Sequence, residues 1–214
     1  MIVSPLKLPV VMLSMLLVAG VARADLSEDL AAVQSAWSVD NYQLAGKARV
    51  AALEALSAQG DALVKHYPAA AEAHIWNGIV KSTLAGAKGG LGALGLAKAA
   101  RAELEQALRL DDQALAGSAY TSLGTLYHKV PGWPVGFGDE ARAEQLLRKA
   151  LQINPEGIDP NYFYAEYLID QGREDEARGY LLKARKAPPR PGRELADQGR
   201  RAEIAVALRR LESH

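Results

Sequence analysis

Few side chains in this sequence could carry out chemistry, and their spacing matches no known kind of catalytic site. The 214 residues include 4 histidines and no cysteine, which excludes a disulfide framework, a cysteine-ligated metal and a catalytic thiol. The histidines are not spaced with carboxylates as metal ligands would be; they are His66, His74, His128 and His214. We therefore expect no enzymatic activity, no metal and no cofactor.

One glycine pattern imitates a nucleotide-binding motif. Gly90, Gly92 and Gly95 have the G-x-G-x-x-G spacing of a dinucleotide fingerprint. That motif must follow a β-strand, whereas a helical pattern precedes the glycines here. We interpret the glycine-rich segment 86–95 as a flexible, close-packing loop between two helices.

Aromatic residues are the strongest candidates for binding. Trp133 and Phe137 lie in a segment rich in proline and glycine, residues 130–139. Apolar rings in a loop must be buried in a binding site or against the core, where the loop would act as a structural plug. Tyrosines concentrate between residues 120 and 167, where some would offer rigid apolar area on a concave surface. The candidate ligand- or partner-binding residues are Tyr120, Tyr127, Trp133, Phe137, Asn161, Tyr162 and Tyr164.

Helices must position these residues, because apolar side chains recur at spacings of three and four from Asp25 onward. The pattern predicts four helix pairs and a closing helix, over residues 26–66, 70–110, 113–152, 160–186 and 193–212. Ile204, Leu208 and Leu211 of the closing helix are expected to face inward. Its arginines are expected to face largely outward; they are Arg200, Arg201, Arg209 and Arg210.

The helical pattern repeats with a period of 34 residues, the separation of Ala150 from Ala184 and of Pro155 from Pro189. Small residues let antiparallel helices approach closely, and the proline ends the second helix. In the last unit these residues match the tetratricopeptide repeat in order and spacing: Ala165, Leu168, Gly172, Ala177, Leu181, Ala184 and Pro189. For residues 25–214 we predict an all-α, tetratricopeptide-like right-handed solenoid of about four helix pairs with a C-terminal capping helix. An unrelated helical bundle is the alternative.

Residues 1–24 have the pattern of a secretory signal peptide. Lys7 precedes an apolar stretch, residues 8–22, and Ala22 and Ala24 form a small-x-small cleavage pattern. As a helix the stretch would span roughly 22 Å, less than the roughly 30 Å of a bilayer's hydrocarbon core. We expect cleavage after Ala24 and a soluble, periplasmic chain. We do not expect a lipoprotein, because no cysteine follows the cleavage point.

Three stretches resemble the T-component family of TRAP transporters: SAYTSLGTLYHKVPGWPVGFGD, ALQINPEGIDPNYFYAEYL and RPGRELADQGRRAEI. The similarity covers about residues 60–205, and its most specific part is Val130 to Asp139. The resemblance implies a periplasmic, tetratricopeptide-like protein that works beside the substrate-binding subunit of a TRAP uptake system and hands over a hydrophobic ligand. Better-known members are lipoproteins, but this sequence lacks the cysteine that would carry the lipid.

Two functions remain compatible with these patterns. The 25 basic and 25 acidic residues balance, which argues against a nucleic-acid partner. The favoured function is an adaptor that binds a partner protein, plausibly a solute-binding protein of a TRAP-type system. The alternative is a carrier of a small hydrophobic ligand in a pocket lined by the candidate aromatic residues. Either function is compatible with a homo-oligomer.

Overall fold

Nine α-helices follow one another in the part of the chain that the structure describes. The structure is a computed structural model that describes the backbone of residues 11–212 and the side chains of residues 25–212 other than residue 91. The predicted signal peptide, residues 1–24, lies outside the residues whose side chains are described. Of the helices in this part of the chain, none combines the length and the apolarity needed to cross a membrane.

The helix bounds agree with the predicted pairs except at the start, where the first helix begins at Val11 instead of residue 26 and runs through the predicted cleavage point after Ala24. The helices are α1 (Val11–Tyr42), α2 (Gly46–His66), α3 (Ala71–Lys88), α4 (Gly90–Leu110), α5 (Ala114–Lys129), α6 (Glu140–Ile153), α7 (Ile158–Asp170), α8 (Glu174–Lys186) and α9 (Glu194–Glu212). Each helix contacts the next, and the first helix of each pair also contacts the first helix of the following pair. This is the stacking of a solenoid, and it confirms the predicted fold class.

Small residues set the distance between the two helices of a pair. Gly124 of α5 faces α6, and a Cβ atom there would lie 2.8 Å from Cγ of Leu147 and 3.1 Å from its backbone nitrogen. Alanines fully buried at the helix interfaces serve the same purpose. They include Ala73, Ala100, Ala107, Ala143, Ala150, Ala165, Ala177 and Ala184.

The segment 86–95 is helical, so its prediction as a loop was wrong. Only Gly89 interrupts the helices there, with φ +61° at both Gly89 and Gly90. A Cβ atom on Gly92 or Gly95 would meet nothing within 4 Å, so neither glycine serves close packing. The apolar residues between them decide the conformation, because burial of their side chains outweighs the low helix propensity of glycine.

The closing helix α9 contacts α8, α7 and α1, so the two ends of the array meet. Ile204 and Leu208 are buried, as predicted, and Arg209 is exposed. Arg200 is only 8% exposed, which contradicts its predicted outward position. It lies four residues before Ile204, on the same stripe of the helix, and its charge is compensated inside the protein.

A buried polar network holds α3 against α2 and α4. Asn77 of α3 is fully buried and donates to Asp61 of α2 and to Glu103 of α4, both at 3.1 Å. Lys81 of α3 contacts Asp61, and His74 lies 2.6 Å from Glu103. The network fixes the orientation of α3, which also carries Trp76 of the cavity described below.

Substituting alanine for Gly124 and for Gly95 should change the free energy of unfolding in opposite directions, because Gly124 is tightly packed and Gly95 is not. Gly124→Ala should lower the free energy of unfolding by about 1 to 2 kcal/mol, because overpacking against Leu147 exceeds the gain in helix propensity. Gly95→Ala, in open space inside α4, should raise it by about 0.5 to 1 kcal/mol. Urea unfolding of both variants beside wild type measures the effects. Destabilisation by Gly95→Ala would contradict the helical assignment of segment 86–95.

Candidate functional site

A cavity of about 460 Å³ lies inside the array. Its walls come from α1, α3, α4, α5, α7, the loop 130–139, the segment before α9 and α9 itself. Most of the wall is apolar, contributed by residues such as Trp37, Trp76, Ile79, Ala97, Leu126 and Phe163. A cavity of this size and character is typical of a small-molecule site.

Three hydroxyl groups of the wall are hydrogen-bonded within their own helices. Ser82, Thr83 and Thr125 each donate to the carbonyl oxygen four residues earlier in their own helix, at 2.8, 2.9 and 2.9 Å. Thr83 Oγ1 also accepts from Nε1 of Trp37 at 2.9 Å. These hydroxyl hydrogens are therefore engaged within the protein.

A network of charges attaches α9 to α7 at one side of the cavity. The Asp159 carboxylate of α7 accepts from Arg190 Nη1 at 2.6 Å and from Arg200 Nε at 2.8 Å. Arg190 also donates to Asp197 at 2.7 Å, and Arg200 donates to Glu203 at 2.6 Å. The arginine side chains are thus matched by carboxylates, as charges removed from water must be.

The network holds Asp159 ionised. Burial opposes ionisation, but Arg200 and Arg190 outweigh it and lower the pKa of Asp159 from 3.8 to about 2. Burial likewise opposes the charge of Arg200, but Asp159 outweighs it, so the pKa of Arg200 is raised. The guanidinium also lies 4.5 Å from the ring centre of Tyr162 and 4.4 Å from that of Phe163, which are favourable cation–π contacts.

Arg193, the residue before α9, differs from its neighbours in the network. Its guanidinium lies 4.7 Å from the ring centre of Trp76. Its Nε atom and Nε1 of Trp76 are buried, and neither has a hydrogen-bond partner among the described residues. Burial and the nearby Arg190 charge lower the pKa of Arg193. Both residues line the cavity, but these two nitrogen atoms are themselves shielded from it.

The loop 130–139 presents a tryptophan to solvent. Trp133 is 89% exposed and Val135 is 63% exposed. Backbone hydrogen bonds hold the loop, from Gly138 to Pro131 at 2.9 Å and from Asp139 to Tyr127 at 3.1 Å. A Cβ atom on Gly138 would lie 1.9 Å from the carbonyl oxygen of Val130, so no other residue fits there.

The loop is also a wall of the cavity. Val130, Pro131 and Val135 line the cavity, while Trp133 does not. Because Val135 is both exposed and part of the wall, the cavity opens to solvent beside the loop.

The structure separates the predicted site residues. Tyr127 and Phe137 meet edge to face, with ring centres 5.5 Å apart. Phe137 is covered by Arg101 at 4.6 Å. Tyr120 packs against the core and donates from its hydroxyl to Asp112 at 3.1 Å. Tyr127 and Phe137 support the inner end of the loop, as in the structural-plug alternative, whereas Tyr120 lies elsewhere on α5 and Trp133 points outward.

The other three candidates lie in the core between helices. Tyr164 is 1% exposed and donates to Glu144 at 3.1 Å, and Tyr162 packs beneath Arg200. Asn161 is buried, donates to two backbone carbonyl groups and lines a separate cavity of about 280 Å³. None of the seven candidates lines the larger cavity, so the aromatic-lined pocket pictured from the sequence is not formed by these residues.

The cavity residues that sequence reasoning missed were partly visible in the sequence. Arg190, Arg193, Asp197 and Arg200 follow one another at spacings of three, four and three. The stripe from Arg200 to Leu208 indicates an inward arginine. The spacing of the charges does not give the ion pairs, because Arg190 pairs with Asp197 seven residues on and Arg200 pairs with the distant Asp159. Trp76 gave no such indication, since a tryptophan in an apolar helix is ordinary core.

Comparison with known proteins gives one family match and several solved structures of similar fold. The family profile of the tetratricopeptide repeat matches residues 135–197. The fold as a whole is a tetratricopeptide-like solenoid. Among solved structures, a thermophilic tetratricopeptide-repeat protein of Thermus thermophilus is similar, with 18% identity, 86% of this chain and 98% of that chain covered, and a TM-score of 0.56. At that identity the likeness concerns the fold alone.

Two further solved structures show weaker similarity to this chain. MamA has 16% identity, with 76% of this chain and 88% of that chain covered, and a TM-score of 0.45. PilF of Pseudomonas aeruginosa has 17% identity, with 87% and 93% covered, and a TM-score of 0.36. A search of curated protein sequences returned no match. Within the described residues, no group of three or more histidines and carboxylates is arranged to hold a metal.

Replacing Asp159 tests the network that attaches α9. Asp159→Asn should lower the free energy of unfolding at neutral pH by about 2 kcal/mol, because a partly buried ion-pair network loses its central charge. Glu156→Gln removes a charge from an exposed residue just before α7 and should change it by less than about 0.5 kcal/mol. Chemical unfolding at neutral pH measures both variants, and equal effects would contradict the role of Asp159.

Acid should remove the same stabilisation. Because the pKa of Asp159 is lower in the folded state, its contribution is complete above about pH 4 and is lost as the pH falls toward about 2. Over that interval wild type should lose about 2 kcal/mol more than Asp159→Asn. Unfolding curves at several pH values measure this difference, and parallel pH profiles would show that Asp159 is not held ionised by the fold.

Proposed function

We propose that this protein is a periplasmic tetratricopeptide-repeat adaptor that docks a partner protein through the loop 130–139. The partner proposed is the substrate-binding subunit of a TRAP-type uptake system. The observation that carries the proposal is Trp133, whose side chain is 89% exposed on a loop held by backbone hydrogen bonds.

An exposed tryptophan on a fixed backbone suits protein recognition. Tryptophan is among the residues that contribute most when buried at an interface, and a rigid loop loses little conformational entropy on binding. Val135 extends the apolar surface beside it, with 63% of its surface exposed. The groove of the array is a less suitable place for a protein segment, because α9 and the segment before it occupy one side of the groove.

The choice of partner and compartment is supported by the sequence. The resemblance to the T-component family is most specific at Val130 to Asp139, the loop that exposes Trp133. The signal-peptide pattern of residues 1–24 supports export, with cleavage after Ala24. The mature chain would then begin at Asp25 and would have no cysteine for lipid attachment.

A second function, a carrier of a small hydrophobic ligand, is favoured by the cavity. Its volume of about 460 Å³ and its apolar walls suit such a ligand. Val130, Pro131 and Val135 line the cavity in the same loop that carries Trp133. A partner docked on Trp133 would therefore lie beside the opening, where a ligand could pass between the two proteins.

The adaptor function is tested by isolating the tagged mature chain gently from its own periplasm and measuring its mass under native conditions. We expect a stoichiometric complex with a substrate-binding protein. Trp133→Ala should weaken it by about 30-fold or more, since truncating a central interface tryptophan costs about 2 kcal/mol or more. Val206→Ala, at an exposed apolar residue of α9, is the control and should leave the complex intact. Isolation without a stoichiometric partner, or a complex indifferent to Trp133→Ala, would contradict the proposal.

A further inference from the structure

We propose that His128 and the two carboxylates it contacts, Glu140 and Asp170, form a clasp that holds the loop 130–139 only while His128 is positively charged. The inference rests on the adaptor function proposed above and concerns the regulation of its docking loop. That loop presents Trp133 to solvent, and a loop that is ordered before binding loses less conformational entropy when a partner docks. Protonation of His128 would therefore control how well Trp133 is presented.

The clasp lies at the base of the loop, where three helices meet. His128 is the penultimate residue of α5, and Glu140, on the other side of the loop, is the first residue of α6. Nδ1 of His128 lies 2.8 Å from the Glu140 carboxylate, so this contact joins the two ends of the loop. Nε2 lies 2.8 Å from the carboxylate of Asp170, the last residue of α7. The His128 side chain is only 6% exposed, so water competes little for either contact.

Both contacts of the ring require a proton on the nitrogen concerned. An ionised carboxylate can only accept hydrogen bonds, so each contact needs an N–H group on the ring. The imidazolium form of histidine has two such groups, whereas the neutral ring has one N–H and one lone pair. The observed geometry, with a carboxylate oxygen 2.8 Å from each nitrogen, is therefore that of the charged ring. Loss of the proton would set a lone pair against a carboxylate oxygen, so one contact must open.

The contact that opens should be the one with Glu140. Asp170 is also held by Lys129, and although burial opposes ionisation of Asp170, Lys129 and His128 outweigh it and lower its pKa. The side chain of Glu140 is 51% exposed and can turn into water. Histidine is the side chain whose charge changes near neutral pH. The clasp is thus complete at mildly acidic pH and opens as the pH rises, as for any cation that gains partners on folding.

Among the described residues, the other titratable groups beside the clasp are Lys129 of α5 and Tyr167 and Glu166 of α7. Tyr167 packs edge to face on the His128 ring, with ring centres 5.2 Å apart, and burial raises its pKa, so its hydroxyl group stays neutral. A lysine keeps its charge well above neutral pH. Burial also raises the pKa of Glu166, which interacts with Lys129 and Asp170. A Glu166→Gln variant therefore separates its titration from that of His128.

Nuclear magnetic resonance of the chain that begins at Asp25 tests the clasp without any partner. Long-range nitrogen–proton spectra show which ring nitrogens of His128 carry a proton, and we expect both at about pH 5.5 and one at about pH 8.5. Hydrogen exchange of the Asp139 amide, which donates to Tyr127 across the base of the loop, reports on the order of the loop. Its protection should fall by about 10-fold over that interval, as expected for loss of one charge-assisted hydrogen bond. The Asn154 amide, at the far end of α6, should keep its protection.

Substitutions separate the clasp from a merely structural role of these residues. His128→Gln carries no charge at any pH, so protection of the Asp139 amide should be low and independent of pH. Glu140→Gln can accept from the charged ring and donate to the neutral one, so protection should stay high throughout. His66→Gln, at an exposed histidine, and Glu166→Gln are the controls and should keep the pH dependence of wild type.

Three results would overturn the inference. They are a His128 ring with the same protonation over the whole interval, unchanged protection of the Asp139 amide, and a pH dependence that persists in His128→Gln. A titrating clasp in a chain that isolates no partner would contradict the adaptor function alone. A complex that depends on Trp133 but has the same affinity at both ends of the interval would contradict the regulation alone.

Discussion

The salt-bridge network around Asp159 is the interaction on which the rest of the architecture depends. Arg190, from the segment before α9, and Arg200, from α9 itself, donate to this carboxylate at 2.6 and 2.8 Å. Closing the array removes part of the surface of these charged side chains from water, which is unfavourable. The cost is offset because each arginine forms an ion pair with Asp159. The same contacts bring Arg193 over Trp76 and place α9 against α1. The groove of the stacked helix pairs is thereby narrowed to a cavity that opens to solvent beside the loop 130–139.

This closure divides the molecule into an inner and an outer functional surface. Inside, the mostly apolar walls of the cavity suit a small molecule. Outside, Trp133 is presented by a loop whose glycines are required by close backbone contacts. The loop belongs to both surfaces, because Val130, Pro131 and Val135 line the cavity. A partner docked on Trp133 would therefore lie next to the opening through which a ligand enters or leaves the cavity.

Local patterns in the sequence were sufficient to predict the helices and their pairing. Asp139 caps α6 by accepting from the backbone nitrogen of Arg142 at 2.9 Å, and Gly172 ends α7 with φ +70°; both are properties of short segments. The seven candidate site residues depend instead on which helices meet, and a single sequence does not specify this. Tyr164 and Asn161 are buried in the core, and of the seven candidates only Trp133 is exposed. The inward position of Arg200 was missed for the same reason, because its partner Asp159 lies 41 residues away in the chain.

The central claim, that α9 returns to α1 and closes the array, is tested most directly by one distance measurement. The sequence has no cysteine, so spin labels can be placed on Gln43→Cys and Gln198→Cys without background. Both residues are exposed, and each is next to a member of the Tyr42–Gly199 contact. Pulsed electron paramagnetic resonance should give a single, narrow distribution at short distance, which Asp159→Asn broadens and lengthens. A broad or long distribution in the chain with Asp159 intact would show that the array is open, and would contradict the account.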